Sequence, residues 1–132
     1  MYQPRLLLAS AIALALLSPN GFAGKSVEKV MGSITAHAGE DYGSLETVNG
    51  SIRVETGANT GDIETVNGSV HLESGVNVGD AETVNGSIKA DGKLKAGSLE
   101  TVNGSIRLGE QSRVGGIETV NGSIFADRGS DI

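Results

Sequence analysis

ETVNGSI occupies residues 46–52 and returns at 82–88, 100–106 and 118–124, with ETVNGSV at 64–70. Five near-copies set a fixed period of 18 residues. Written in rows of 18 from Lys25, the chain runs to Ile132 in six rows without insertion or deletion: 25–42, 43–60, 61–78, 79–96, 97–114 and 115–132. A fixed period of this size signals a solenoid, in which one supersecondary unit buries its apolar side only by stacking on its neighbours.

Each row is extended rather than helical. The second to sixth rows carry glycine at their first and eighth positions, and a helix-interior glycine costs about 1 kcal/mol against alanine. The pieces between the glycines are short and rich in Val, Ile and Thr, as strands are. SVHLE (69–73) alternates polar and apolar, and VNV (76–78) does the same. Ile63 and Val66 in DIETV are oddly spaced for one face, which predicts a bend or bulge between them. Three short strands and three corners per row make one coil of a single-stranded parallel β-helix. The fold class is therefore all-β, a six-coil β-solenoid, and the general crossover rule predicts a right-handed one.

In such a helix each residue lies about 4.8 Å from its counterpart in the next coil. The predicted interior ladders are Leu45, Ile63, Ala81, Leu99, Ile117; then Val48, Val66, Val84, Val102, Val120; then Ile52, Val70, Ile88, Ile106, Ile124. Stacked β-branched side chains fill a thin prism without aromatics. That suits a chain of 132 residues with two Phe, two Tyr and no Trp. Asn49, Asn67, Asn85, Asn103 and Asn121 form a predicted turn ladder: Asn tolerates a left-handed backbone, Gly follows, and stacked amides bond along the axis. NGS is also a glycosylation sequon, but the turn accounts for it without a glycan. The first row departs most from consensus: Lys25 stands for Gly, Lys29 for Thr and Met31 for Asn. Lysines at that end predict a guarded sheet edge, whereas the last row shows no such guard and predicts an edge open to self-association.

Residues 1–23 form a separate unit. One positive charge in MYQPR precedes the apolar run 6–17, and small residues follow at Gly21 and Ala23. This is the pattern of a secretory signal peptide with cleavage after Ala23, leaving 24–132 as the solenoid domain. The 12 residues of this run, apolar but for Ser10, rise only about 18 Å as helix, too short for a hydrocarbon core of about 30 Å. The expected location is the periplasm, the cell surface or the exterior, with no membrane span once the segment is removed. No Cys is present, so neither a lipid-anchoring Cys nor a disulfide contributes. Without residues 1–23 the chain has nine Lys and Arg against sixteen Asp and Glu. That acidic balance argues against nucleic acid and anionic lipid as partners.

Chemistry-bearing residues are few. Glu28, Glu46, Glu64, Glu82, Glu100 and Glu118 form a ladder of like charges, repelling by about 1 kcal/mol per neighbouring pair in water. The ladder is a candidate cation stripe, but calcium sites draw several oxygens together from loops, so a solvated acidic face is the expected role. Thr47, Thr65, Thr83, Thr101 and Thr119 form one Thr rank, expected to be a hydrogen-bonding ladder. An ice-binding surface would need two such ranks, and Glu stands beside this one. His37 and His71 fall at different row positions and make no pair. No nucleophile triad, phosphate loop or metal spacing is present, no cofactor is implied, and rows without insertions leave no place for a catalytic cleft. The three-sided coil is similar to that of hexapeptide acyltransferases, whose six-residue rhythm this chain keeps only in part. A non-enzyme is the expectation.

GDIETVNGSV (61–70) resembles the bacterial β-strand-repeat, adhesin-like proteins with toast-rack domains, over 43–132 closely and 25–42 loosely. That resemblance implies an exported or envelope-associated binding module with a right-handed β-helical core and no catalytic residues. A weaker resemblance, to bactofilin-type β-helices, implies the alternative of a structural protein polymerising end to end. The first half of each row is nearly constant, and the second half varies: RVETGANT, HLESGVNV, KADGKLKA, RLGEQSRV (53–60, 71–78, 89–96, 107–114). Arg53, His71, Lys89 and Arg107 open these halves as a basic column on an acidic chain, and they are the candidate ligand face for an envelope or surface partner.

Overall fold

A computed structural model describes residues 25–132; the predicted signal peptide lies outside the described residues. Twelve strands follow in order: β1 (Lys25–Met31), β2 (Ile34–Ala36), β3 (Tyr42–Asn49), β4 (Ile52–Val54), β5 (Ile63–Asn67), β6 (Val70–Leu72), β7 (Asn77–Asn85), β8 (Ile88–Gly92), β9 (Lys95–Asn103), β10 (Ile106–Glu110), β11 (Arg113–Asn121) and β12 (Ile124–Ala126). Odd-numbered strands form one six-stranded parallel sheet and even-numbered strands a second, each in chain order. The register is 18 residues: Leu45 lies on Ile63, Ile63 on Ala81, Ala81 on Leu99 and Leu99 on Ile117. The molecule is a parallel β-solenoid of six coils.

The third side is thinner than the sequence predicts. It is held by the single bridges Asp41–Asn59, Asn59–Asn77 and Arg113–Asp131. In the last three coils it runs without a break into the first sheet, so that β7, β9 and β11 are each nine residues long.

One interior ladder is exchanged. Thr47, Thr65, Thr83 and Thr101 are buried, while Val48, Val66, Val84 and Val102 are half-buried and Val120 is exposed. Leu45 and Thr47 alternate inward as ordinary strand neighbours, so no bulge is needed in this segment. A buried hydroxyl without a partner would be costly. Each Thr avoids this by donating to the glycine carbonyl one coil earlier: Thr47 to Gly32 (3.0 Å), Thr65 to Gly50 (2.9 Å), Thr83 to Gly68 (2.9 Å), Thr101 to Gly86 (2.8 Å) and Thr119 to Gly104 (2.9 Å). Valine has the hydrophobicity for the core but cannot supply that donor.

The other two predicted apolar ladders are buried through the fifth coil, but in the last coil Ile117 is only half-buried and Ile124, predicted inside, is exposed. Leu45, Ile63, Ala81 and Leu99 face Ile34, Ile52, Val70, Ile88 and Ile106 across the prism. Ala36, Val54, Leu72, Ala90 and Leu108 fill the second sheet, and Ala58, Val76 and Leu94 close the third side. The first coil is guarded by Lys29, which aligns with inward Thr47 and donates from Nζ to the Ser33 carbonyl (3.0 Å). An inward-directed charge on an edge strand deters further pairing.

Candidate functional site: the outward columns

The Asn residues make the predicted amide ladder. Asn67 Nδ2 donates to Asn49 Oδ1 (2.9 Å), Asn85 to Asn67 (2.9 Å), Asn103 to Asn85 (2.9 Å) and Asn121 to Asn103 (3.0 Å). The asparagines do not take the left-handed backbone predicted for them. They end strands, and the following glycines are needed for space: a Cβ on Gly68 would lie 2.0 Å from the Gly50 carbonyl oxygen. Two further ladders are absent from the sequence prediction. Ser51, Ser69, Ser87, Ser105 and Ser123 each donate a backbone N–H to the serine hydroxyl one coil earlier. Asn77 donates to Asn59 (2.6 Å) and Asn59 to Asp41 (2.7 Å). Both follow from asking which polar residue recurs after 18.

The Glu ladder is assembled in register on the outer face of the first sheet, from Glu28 through Glu46, Glu64, Glu82 and Glu100 to Glu118. Asp62 and Asp80 stand two residues before Glu64 and Glu82 on that face. Among the described residues no group of three His, Cys, Asp or Glu could hold a metal ion. Glu46 is the extreme member: it is 4% exposed, and its Oε1 has no hydrogen-bond partner. Burial, then the charges of Glu28 and Asp62, push its carboxyl up to about 7.

The basic column is also in register, on the outer face of the second sheet. Arg53 lies on His71, His71 on Lys89, Lys89 on Arg107, and Arg107 on Phe125. Its charges are not equally available. Arg53 donates from Nε and Nη2 to Glu73 Oε2 (3.0 and 2.7 Å), and this bond, followed by that from the Thr56 backbone, holds the Glu73 carboxyl below its ordinary value. His71 Nε2 lies 3.1 Å from Asp91 Oδ1. Lys89 has no ion-pair partner among the described residues, and the Arg107 guanidinium lies over the Phe125 ring, 5.2 Å from its centroid. Both carboxylate partners sit 20 residues after their base, one coil up and two residues on. Comparing counterparts at 18 alone misses these diagonals. His37 makes a similar contact, with its Nδ1 3.6 Å from Glu55 Oε1.

The part of the column without a carboxylate partner among the described residues is thus Lys89 and Arg107, followed by Phe125, in the last three coils. Beside it, at the corner after the second sheet, a recess of about 290 Å³ is lined by Ser74, Asp91, Lys93, Glu110, Gln111 and Asp127, with Gly92 in its wall. Among the described residues no helix is long and apolar enough to cross a membrane. The chain matches no protein-family model, and no curated protein or solved structure is significantly similar to it.

Proposed function

We propose that the protein is a non-catalytic binding module of the bacterial cell envelope or surface, exported by its N-terminal segment. The carrying observation is the unbroken 18-residue register. It turns each outward variable row position, such as that of Arg53, His71, Lys89 and Arg107, into a straight rank on a stiff rod, and repeated weak contacts along such a rank add up to avidity. The signal-peptide pattern of residues 1–23 supports an envelope location.

Co-sedimentation of the purified protein with isolated peptidoglycan and with outer-membrane fragments tests this. Binding to either fraction is expected, and it weakens when Arg53, His71, Lys89 and Arg107 are all changed to Ser. Binding unaltered by the four changes removes the column from the site, and no binding to any envelope fraction removes the reading.

A second reading, end-to-end polymerisation, draws support from the last coil, where Val120, Ile124, Phe125 and Ile132 are exposed. Lys29 at the opposite end weighs against polar head-to-tail stacking. The signature of polymerisation is concentration-dependent protection of the Ile124 amide.

A further inference from the structure

We infer that the corner recess of coils three to six is a saccharide subsite, taking a neutral or amino sugar ring; the inference rests on the binding-module reading and names a ligand class for it. The corner has a common build in four of the six coils. Gly39, Gly57, Gly75 and Gly129 occupy the left-handed region there, with φ of 73°, 76°, 72° and 74°. Lys93 and Gln111 hold the same conformation, with φ of 52° and 59°. A side chain in that conformation costs about 1–2 kcal/mol that glycine avoids. Two adjacent coils therefore place long polar side chains where the repeat elsewhere has none, and both line the recess. Gly92 leaves the wall between them bare. A Cβ on Gly92 would lie 3.2 Å from the Glu110 carbonyl oxygen, so a side chain there would crowd the next coil.

The chemistry of the lining selects the ligand. Carboxylates of Asp91, Glu110 and Asp127 accept hydrogen bonds, the Gln111 amide both donates and accepts, and Lys93 donates. Among the described residues Glu110 and Asp127 have no ion pair. Adjacent sugar hydroxyls are paired donors that a carboxylate accepts together, and the ring and glycosidic oxygens suit Lys93. Phe125 stands two residues before Asp127 and is half-exposed, with one ring face taken by the Arg107 guanidinium. The volume, at the small end of ligand pockets, suits a single ring. Three carboxylates against one lysine disfavour an acidic sugar.

The test uses amide NMR spectra of the full chain titrated with chitotetraose, cellotetraose and maltotetraose, with tetragalacturonate as the acidic control. Saturable shifts at residues 91–93, 109–111 and 127 with at least one neutral or amino tetrasaccharide are expected. Asp127→Asn and Gln111→Gly should weaken that binding at least fivefold. Gln111→Gly also relieves the left-handed side chain, so its melting temperature should rise while affinity falls, which separates lost contacts from lost structure. No shift with any neutral or amino sugar, shifts confined to other coils, or tighter binding of tetragalacturonate would each overturn the subsite. A response of these amides to Ca²⁺ alone, with the sugars silent, would overturn it also. If envelope binding survives Gln111→Gly and Asp127→Asn unchanged, the subsite falls and the module stands; if the wild type binds no envelope fraction, the module reading itself falls.

Discussion

Glu46 shows what the repeat imposes on a single residue. Its alternation with Leu45 and Thr47 directs it outward, yet it is buried beside Glu28 and Asp62 with one oxygen unpartnered. Its carboxyl, raised from 4.5 to about 7, holds a proton more firmly in the folded chain than in the unfolded one. The contribution to stability is complete below pH 4.5 and is lost as pH rises through about 7. Glu46→Gln fixes the uncharged form. The variant should match the wild type at about pH 4 and be more stable at about pH 8, by on the order of 1–3 kcal/mol. Urea unfolding at the two pH values measures this, and an equal effect at both would show that charge is not the cause. Glu73 has the opposite sign. Its lowered carboxyl, held by Arg53, favours the folded state above the ordinary value and loses that advantage as pH falls through its folded one.

At the scale of strands and corners, the two glycine populations do different work. Gly86 needs no left-handed backbone, but a Cβ there would lie 2.0 Å from the Gly68 carbonyl oxygen, the acceptor of the Thr83 hydroxyl. Gly57 has φ of 76° and nothing within 4 Å of its would-be Cβ. Gly86→Ala must force stacked backbones apart and should cost more than about 3 kcal/mol. Gly57→Ala meets only conformational strain and should cost about 1–2 kcal/mol. Chemical denaturation of the two variants compares them directly, and equal losses would refute close approach as the reason for the NG glycine. The sequence makes this level legible in part. Identical residues at a spacing of 18 predict coil length, register and the Asn, Glu and basic columns. They do not predict that Thr65 turns inward and Val66 outward, because both are β-branched and hydropathy alone favours valine inside. What decides is the glycine carbonyl of the preceding coil, an acceptor that only the stacked backbone reveals. For the same reason the candidate ligand face reads in the sequence as four free bases: Glu73 and Asp91, which take up two of them, lie on a diagonal of the lattice.

For the molecule as a whole, stacking gives every coil the same neighbours except the outermost two. The amides of Ile34, Ile52, Ile88 and Ile106 each donate to a serine carbonyl in the next coil, those of Ser51, Ser69, Ser105 and Ser123, at 2.9–3.0 Å. Val70 donates likewise to Ser87 (2.9 Å). Ile124 occupies the same row position and has no such acceptor among the described residues. A chain held together by nearest-neighbour contacts opens from its ends. Hydrogen exchange should therefore be slowest at Val70 and Ile88, faster at Ile34, and fastest at Ile124, by at least about tenfold relative to Ile88. Raising the protein concentration separates the two functional readings. A solitary binding rod leaves Ile124 unprotected at every concentration. A second copy docked on β12 would give it an acceptor, so its protection would climb with concentration while that of Ile88 stayed constant. Uniform protection along all six positions would contradict the open edge altogether, because the coil carrying Phe125 and Ile132 on its surface would then be as firmly held as the coils inside the stack.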